Sequence, residues 1–149
     1  MKVIFIYQAE GKSLQREAVA IKLCEAVSKV ITLPENIEIE FALLNPSVYG
    51  ETILNSRFKN RVRLNNTLTA KEIIPALVHE LIHLNQTHTG LLSMTRDGRY
   101  IWKNKIYKTP HVGQLTFIEH SQLPWEIDVA QKQQKILNEA IQLALTLNG

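Results

Sequence analysis

The chain predicts an α+β domain: a small mixed or antiparallel sheet packed on a central helix, with an N-terminal helix and a long C-terminal helix. Three observations predict it. A short unbroken apolar run lies within residues 1–8, and apolar residues alternate at period two over 37–43, as strands require. They recur at helical spacing over about 13–31, 69–88 and 124–147. The length, 149 residues and 17.0 kDa, suits one domain spanning 1–149, with no repeat or low-complexity linker to divide it.

In chain order, Val3-Ile4-Phe5-Ile6-Tyr7 reads as the first strand. Ser13 suits the cap of a helix to about Ile31, with Leu14, Ala18, Ile21, Cys24, Val27 and Ile31 near one face. Pro34 and Asn36 interrupt before a strand in which Ile37, Ile39, Phe41 and Leu43 alternate with Glu38, Glu40 and Ala42. Asn45-Pro46-Ser47 is a turn, and 49–55 and 57–64 suggest two more strands. Thr69 followed by Glu72 forms a capping box for a helix to about Gln86 or His88. Pro75 falls beyond that helix's first turn and predicts a kink, and Gly90 ends the helix. Residues 91–109 read as a hairpin turning at Asp97-Gly98. The stretch 110–122 has no clear pattern, and Pro124 then opens the last helix.

Composition removes several classes. With 45% hydrophobic and 21% charged residues the chain is neither disordered nor strongly acidic. No apolar run approaches the roughly 20 residues of a membrane span, and the N-terminal run lacks the flanks of a signal peptide. Cys24 is the single cysteine, which excludes an internal disulfide and points to a reducing compartment. The net charge of +3 is too small to imply nucleic acid unless the charges cluster.

The motif His79-Glu80-Leu81-Ile82-His83 carries the chemistry. Spacing i, i+4 on a helix aims both imidazoles into one cleft, as two vertices of a zinc tetrahedron, and Glu80 is placed as general base to a metal-bound water. Chance yields this pattern in only about 1% of chains with these histidine and glutamate counts, so the motif is read as a Zn2+ site. A third protein ligand is required. Helical phase places Glu126 on a stripe with Ala130, Leu137, Ile141 and Ala144, where a carboxylate is costly unless bound. Asp128 falls with Lys132, Lys135 and Gln142 on a solvated face and is the reserve, or a partner orienting a ligand histidine. His88 lies about 180° from His79 and is read as a helix-end residue. For polarising a substrate carbonyl, His120 is preferred over His111, Tyr100 and Tyr107.

Together, His79-Glu80-Leu81-Ile82-His83-Leu84-Asn85-Gln86 and Leu123-Pro124-Trp125-Glu126-Ile127-Asp128 resemble the small single-domain zinc metallopeptidases of the minigluzincin and SprT-like group, which includes proteins carried by bacteriophages. The resemblance covers roughly residues 37–147. It implies a helix bearing the motif beneath a small sheet, Glu126 as third ligand, peptide-bond hydrolysis on a peptide or protein substrate, and a cytoplasmic site of action in a bacterium or a phage-infected host. It departs from the longer H-E-x-x-H-x-x-G-x-x-H set, because Gln86 and Thr89 occupy its last two positions. One cysteine excludes the zinc ribbon that some SprT-like proteins carry.

Arg57, Lys59, Arg61 and Arg63 would share one strand face, either a nucleic-acid track or a solvated edge, and that segment also stands as an edge strand able to receive substrate. The alternative function is a non-enzymatic module for nucleic acid or protein in which zinc is structural.

Overall fold

The computed structural model of the chain describes residues 1–8, 12–53, 60–107 and 117–146. The elements run β1 (Lys2–Tyr7), α1 (Leu14–Ser28), β2 (Asn36–Ala42), β3 (Gly50–Thr52), β4 (Arg61–Asn65) and α2 (Ile73–His88). There follow β5 (Leu92–Met94), β6 (Tyr100–Trp102), β7 (Lys105–Tyr107), α3 (Phe117–Ser121) and α4 (Pro124–Thr146). The α+β class, the mixed sheet and the three long helices are as the sequence predicts.

The main sheet has the order β1-β2-β4-β3, with β1, β2 and β4 parallel and β3 antiparallel to β4. Ile37, Ile39 and Phe41 of β2 and Val62 and Leu64 of β4 are fully buried. They form one core with residues of α1, α2 and α4, which pack against one another. The alternate residues point the other way and carry charge. Arg61 pairs with Glu38 at 2.7 Å and Glu40 at 3.2 Å, and Arg63 pairs with Glu51 at 2.6 Å and Glu40 at 3.5 Å.

That ladder corrects two expectations. Arg61 and Arg63 are interleaved with three carboxylates and do not make a bare cationic track; Arg57 and Lys59 lie outside the described residues. The strand bearing them is interior, and the edge position belongs to β3. Its three residues fold back on β4 in the register Gly50 to Leu64, Glu51 to Arg63 and Thr52 to Val62.

α1 begins where its capping signal says and α2 three residues beyond its box, while the buried faces of α1 and α4 are turned. The Ser13 hydroxyl accepts from Arg16 N at 3.2 Å at the start of α1. Arg16, Ala20, Leu23, Cys24 and Val27 are buried, whereas Leu14 is 74% exposed and Ala18 and Ile21 also face solvent. Arg16 turns the helix: its guanidinium lies 4.1 Å from the Phe41 ring centroid and donates to the Asn66 and Leu68 carbonyls. At α2, Thr69 N donates to the Glu72 carboxylate and Glu72 N to the Thr69 hydroxyl, the reciprocal box. Regular α-helix starts only at Ile73, so Pro75 falls in its first turn, where a missing donor costs little and no kink need follow.

The second sheet is an antiparallel meander, β5-β6-β7, rather than a single hairpin. Gly98 makes the expected turn with φ +87°. The second turn, Lys103-Asn104, has both residues at positive φ, the primed geometry that suits strand twist. Leu92 and Trp102 pack there on Leu123 and Trp125, a small cluster that fixes the start of α4. Among the described residues no helix is long and apolar enough to cross a membrane.

Candidate metal centre

α2 presents His79 and His83 one turn apart, their rings 5.1 Å between centroids and 74° between planes. α4 crosses them and brings Glu126 from its first turn. His83 Nε2 lies 2.5 Å from Glu126 Oε1, and His79 Nε2 lies 3.5 Å from Oε2. The ligand atoms of the three residues fall within 4.8 Å of one another. Two imidazole nitrogens and a carboxylate oxygen converging this closely form a donor set fit for a divalent cation; zinc accepts it.

The site also fits a cation electrostatically. Burial works to lower the His79 ring, but the Glu126 hydrogen bond and the nearby Glu80 charge push it up to about 9. Burial acts likewise on His83, and the same two carboxylates raise it. Burial works to raise the Glu126 carboxyl, and the hydrogen bonds and charges of both rings hold it far below the usual carboxylate range. The two rings and the carboxylate thus favour one another's charged forms. A divalent ion bound there would take the place of ring protons as partner to the carboxylate.

Both Nδ1 atoms are engaged. His79 Nδ1 lies 3.0 Å from Gln133 Oε1, and Gln133 Nε2 donates to the Pro75 carbonyl at 3.3 Å. His83 Nδ1 lies 2.8 Å from Gln86 Oε1. The Gln86 amide then donates to the Trp125 carbonyl at 3.0 Å and to Asp128 Oδ2 at 2.9 Å.

Glu80, the residue between the histidines, is 4% exposed and lies against β3. Burial raises its carboxyl; the two histidine charges and a hydrogen bond from Thr52 oppose that only in part. The Thr52 hydroxyl lies 3.3 Å from Glu80 Oε2 and 3.1 Å from the Glu80 carbonyl oxygen. Gly50 leaves room for this carboxylate: a Cβ there would stand 3.2 Å from Glu80 Cγ and 3.0 Å from the Arg63 carbonyl oxygen.

The cluster opens into a cleft of about 1130 Å³ between β3 and the second sheet. Its far wall carries Tyr100, Trp125 and His120. Tyr100 stacks on Trp125 with centroids 4.7 Å apart, and burial together with the Glu126 charge pushes its phenol up, so it remains a donor. His88 is exposed at the end of α2, whose C-terminal carbonyls are bonded by the Thr89 hydroxyl instead; His111 lies outside the described residues.

Helical phase selected Glu126 on a stripe that the structure corrects. The buried face of α4 is Trp125, Val129, Ile136 and Ala140, while Ala130 is exposed and Ile141 is 40% exposed. Glu126 flanks that stripe, so its carboxylate faces the gap between α2 and α4 and not the core. Asp128 is not on a solvated face: its side chain is 17% exposed and held by Gln86 and Lys132, one residue removed from the histidine it was expected to orient. Gln86, Gln133, Thr52 and Gly50 escaped the sequence reading. Each glutamine stands seven residues after a site residue, Gln86 after His79 and Gln133 after Glu126, which is the helical phase that could have found them.

No protein-family model matches the chain, and no curated protein or solved structure shows significant similarity to it.

Proposed function

We propose that the protein is a zinc-dependent metallopeptidase, with His79, His83 and Glu126 as metal ligands and Glu80 as general base. The observation that carries the reading is a three-ligand cluster, His79, His83 and Glu126, that is open to a cleft beside a buried fourth carboxylate, Glu80. A structural zinc site closes with four protein ligands, whereas a catalytic one keeps a position free. Among the described residues no fourth side chain joins the cluster. Zinc bound there would supply Lewis acidity, polarising a carbonyl and lowering the pKa of water.

The chain's own residues supply the rest. An extended peptide adds to β3, the edge strand among the described residues, which lines the cleft with Glu80. Glu80, with its carboxyl raised by burial, takes a proton from the attacking water and returns it to the leaving amine. Tyr100 and His120 face the cleft as donors to the carbonyl oxygen as its charge develops. The paired state of Arg61 and Arg63 withdraws the main support for a nucleic-acid module. The resemblance to minigluzincin and SprT-like peptidases agrees with this assignment through the two motifs alone.

The test is cleavage of a mixed peptide library by zinc-loaded wild type and by Glu80→Gln. Wild type should cut peptide bonds, and the variant should keep about one zinc per chain while losing roughly 10²–10⁴-fold in rate. A variant as active as wild type would remove Glu80 from the chemistry, and a metal-loaded wild type that cuts nothing would reject the peptidase.

A further inference from the structure

The two glutamines that touch the histidines do more than fill space. Gln133 reaches from α4 to α2, and Gln86 reaches from α2 to α4, so the helices are clasped once on each side of the cluster. Their partners determine which way each amide faces. The Pro75 carbonyl accepts and cannot donate, so the group that meets it at 3.3 Å is the Gln133 NH2. The Gln133 oxygen therefore meets His79. Gln86 is fixed twice over, because the Trp125 carbonyl and the Asp128 carboxylate both take hydrogens from its NH2, leaving its oxygen for His83. An amide oxygen can only accept, so Nδ1 carries the proton in both rings. Each Nε2 is left as the ligand atom, facing Glu126.

Resting on the metal site proposed above, we infer that Gln86 and Gln133 are positioning residues that lock both histidines in the Nδ1–H form, with Nε2 presented to the metal. Gln86 adds a second effect. It is fully buried, and its bonds to the Trp125 carbonyl and to Asp128 bracket Glu126 on either side. One side chain thus sets the orientation of His83 and the height of the α4 turn from which the third ligand projects. Lys132 anchors the outer end of this chain, 2.9 Å from Asp128 Oδ1. Each histidine is backed by a neutral amide, so orientation is secured without adding further negative charge to a buried site.

Gln133 is half-buried, so its variants should fold, and they separate tautomer control from simple bracing. Gln133→Leu removes the acceptor; Gln133→Glu keeps an acceptor for Nδ1–H but loses the donor to the Pro75 carbonyl. Zinc affinity, measured by competition with a chromophoric chelator, should fall about 10–100-fold in Gln133→Leu and stay within about threefold of wild type in Gln133→Glu. Wild-type affinity in Gln133→Leu, or an equal loss in both variants, would overturn the inference. Gln86 is tested without mutation by long-range ¹H–¹⁵N spectra of the zinc-loaded wild type, in which both rings should show a protonated Nδ1. A ring with its proton on Nε2 would overturn it as well. These readouts are independent of turnover: zinc binding without peptidase activity rejects the enzyme and leaves the clasp standing, whereas a wild type that binds no zinc rejects both.

Discussion

At the residue scale the centre is a charge exchange. The Glu126 and Glu80 carboxylates push His79 up to about 9 and raise His83 as well, which favours the protonated rings in the absence of metal. Because a raised histidine stays charged until the pH passes its folded-state value, metal must displace ring protons below that range. Zinc affinity should therefore rise with pH up to about 9 and then flatten, and calorimetry in buffers of different ionisation enthalpy should detect protons released on binding at pH 7. A pH-independent affinity would contradict this. Glu126→Ala should abolish most of the binding, while Asp128→Ala, acting only through Gln86, should cost no more than roughly 10–100-fold. His79 and His83 were legible because helical spacing alone aims them together, with Glu80 marked by its place in the motif. Gln133 was not, because its contact with His79, 54 positions away, depends on the register between two helices, whereas Gln86, three residues after His83 on the same helix, was within reach of helical phase.

At the element scale, short segments with little core of their own carry the cleft. β3 is only three residues long, yet it seats Glu80 through Thr52 and approaches it closely at Gly50. Gly50→Ala would drive a Cβ to 3.0 Å from a backbone oxygen, so it should destabilise the fold by about 1–3 kcal/mol and displace Glu80, read by thermal melting and by loss of turnover. The start of α2 rests on Thr69, and Thr69→Ala should cost about 1 kcal/mol, or a fall in Tm of roughly 2–4 °C. Caps were readable from the sequence since they are local chemistry. Buried faces were not: a buried arginine turned α1, and Trp125 in the small aromatic cluster turned α4 by about one residue. The third strand of the meander was missed because Lys103-Asn104 contains no glycine to announce its positive-φ turn.

At the scale of the whole molecule, a parallel three-strand core with one antiparallel edge carries three helices on one face, and the opposite face is closed by the Glu38, Arg61, Glu40, Arg63 and Glu51 ladder. Apolar patterning revealed these strands, but their order did not follow from it, since β4 inserts between β2 and β3. That insertion makes β3 the edge and turns a presumed cationic strand into a paired interior one. The fold thereby leaves one side of the His79, His83 and Glu126 cluster facing a cleft and the other sides packed by α2 and α4. The most direct measurement is a crystal structure of the zinc-loaded protein with anomalous data at the zinc edge. It should show one ion bound by His79 Nε2, His83 Nε2 and a Glu126 oxygen at about 2.0–2.2 Å, with solvent in the remaining position. An ion elsewhere, or a fourth protein side chain closing the coordination, would contradict the account.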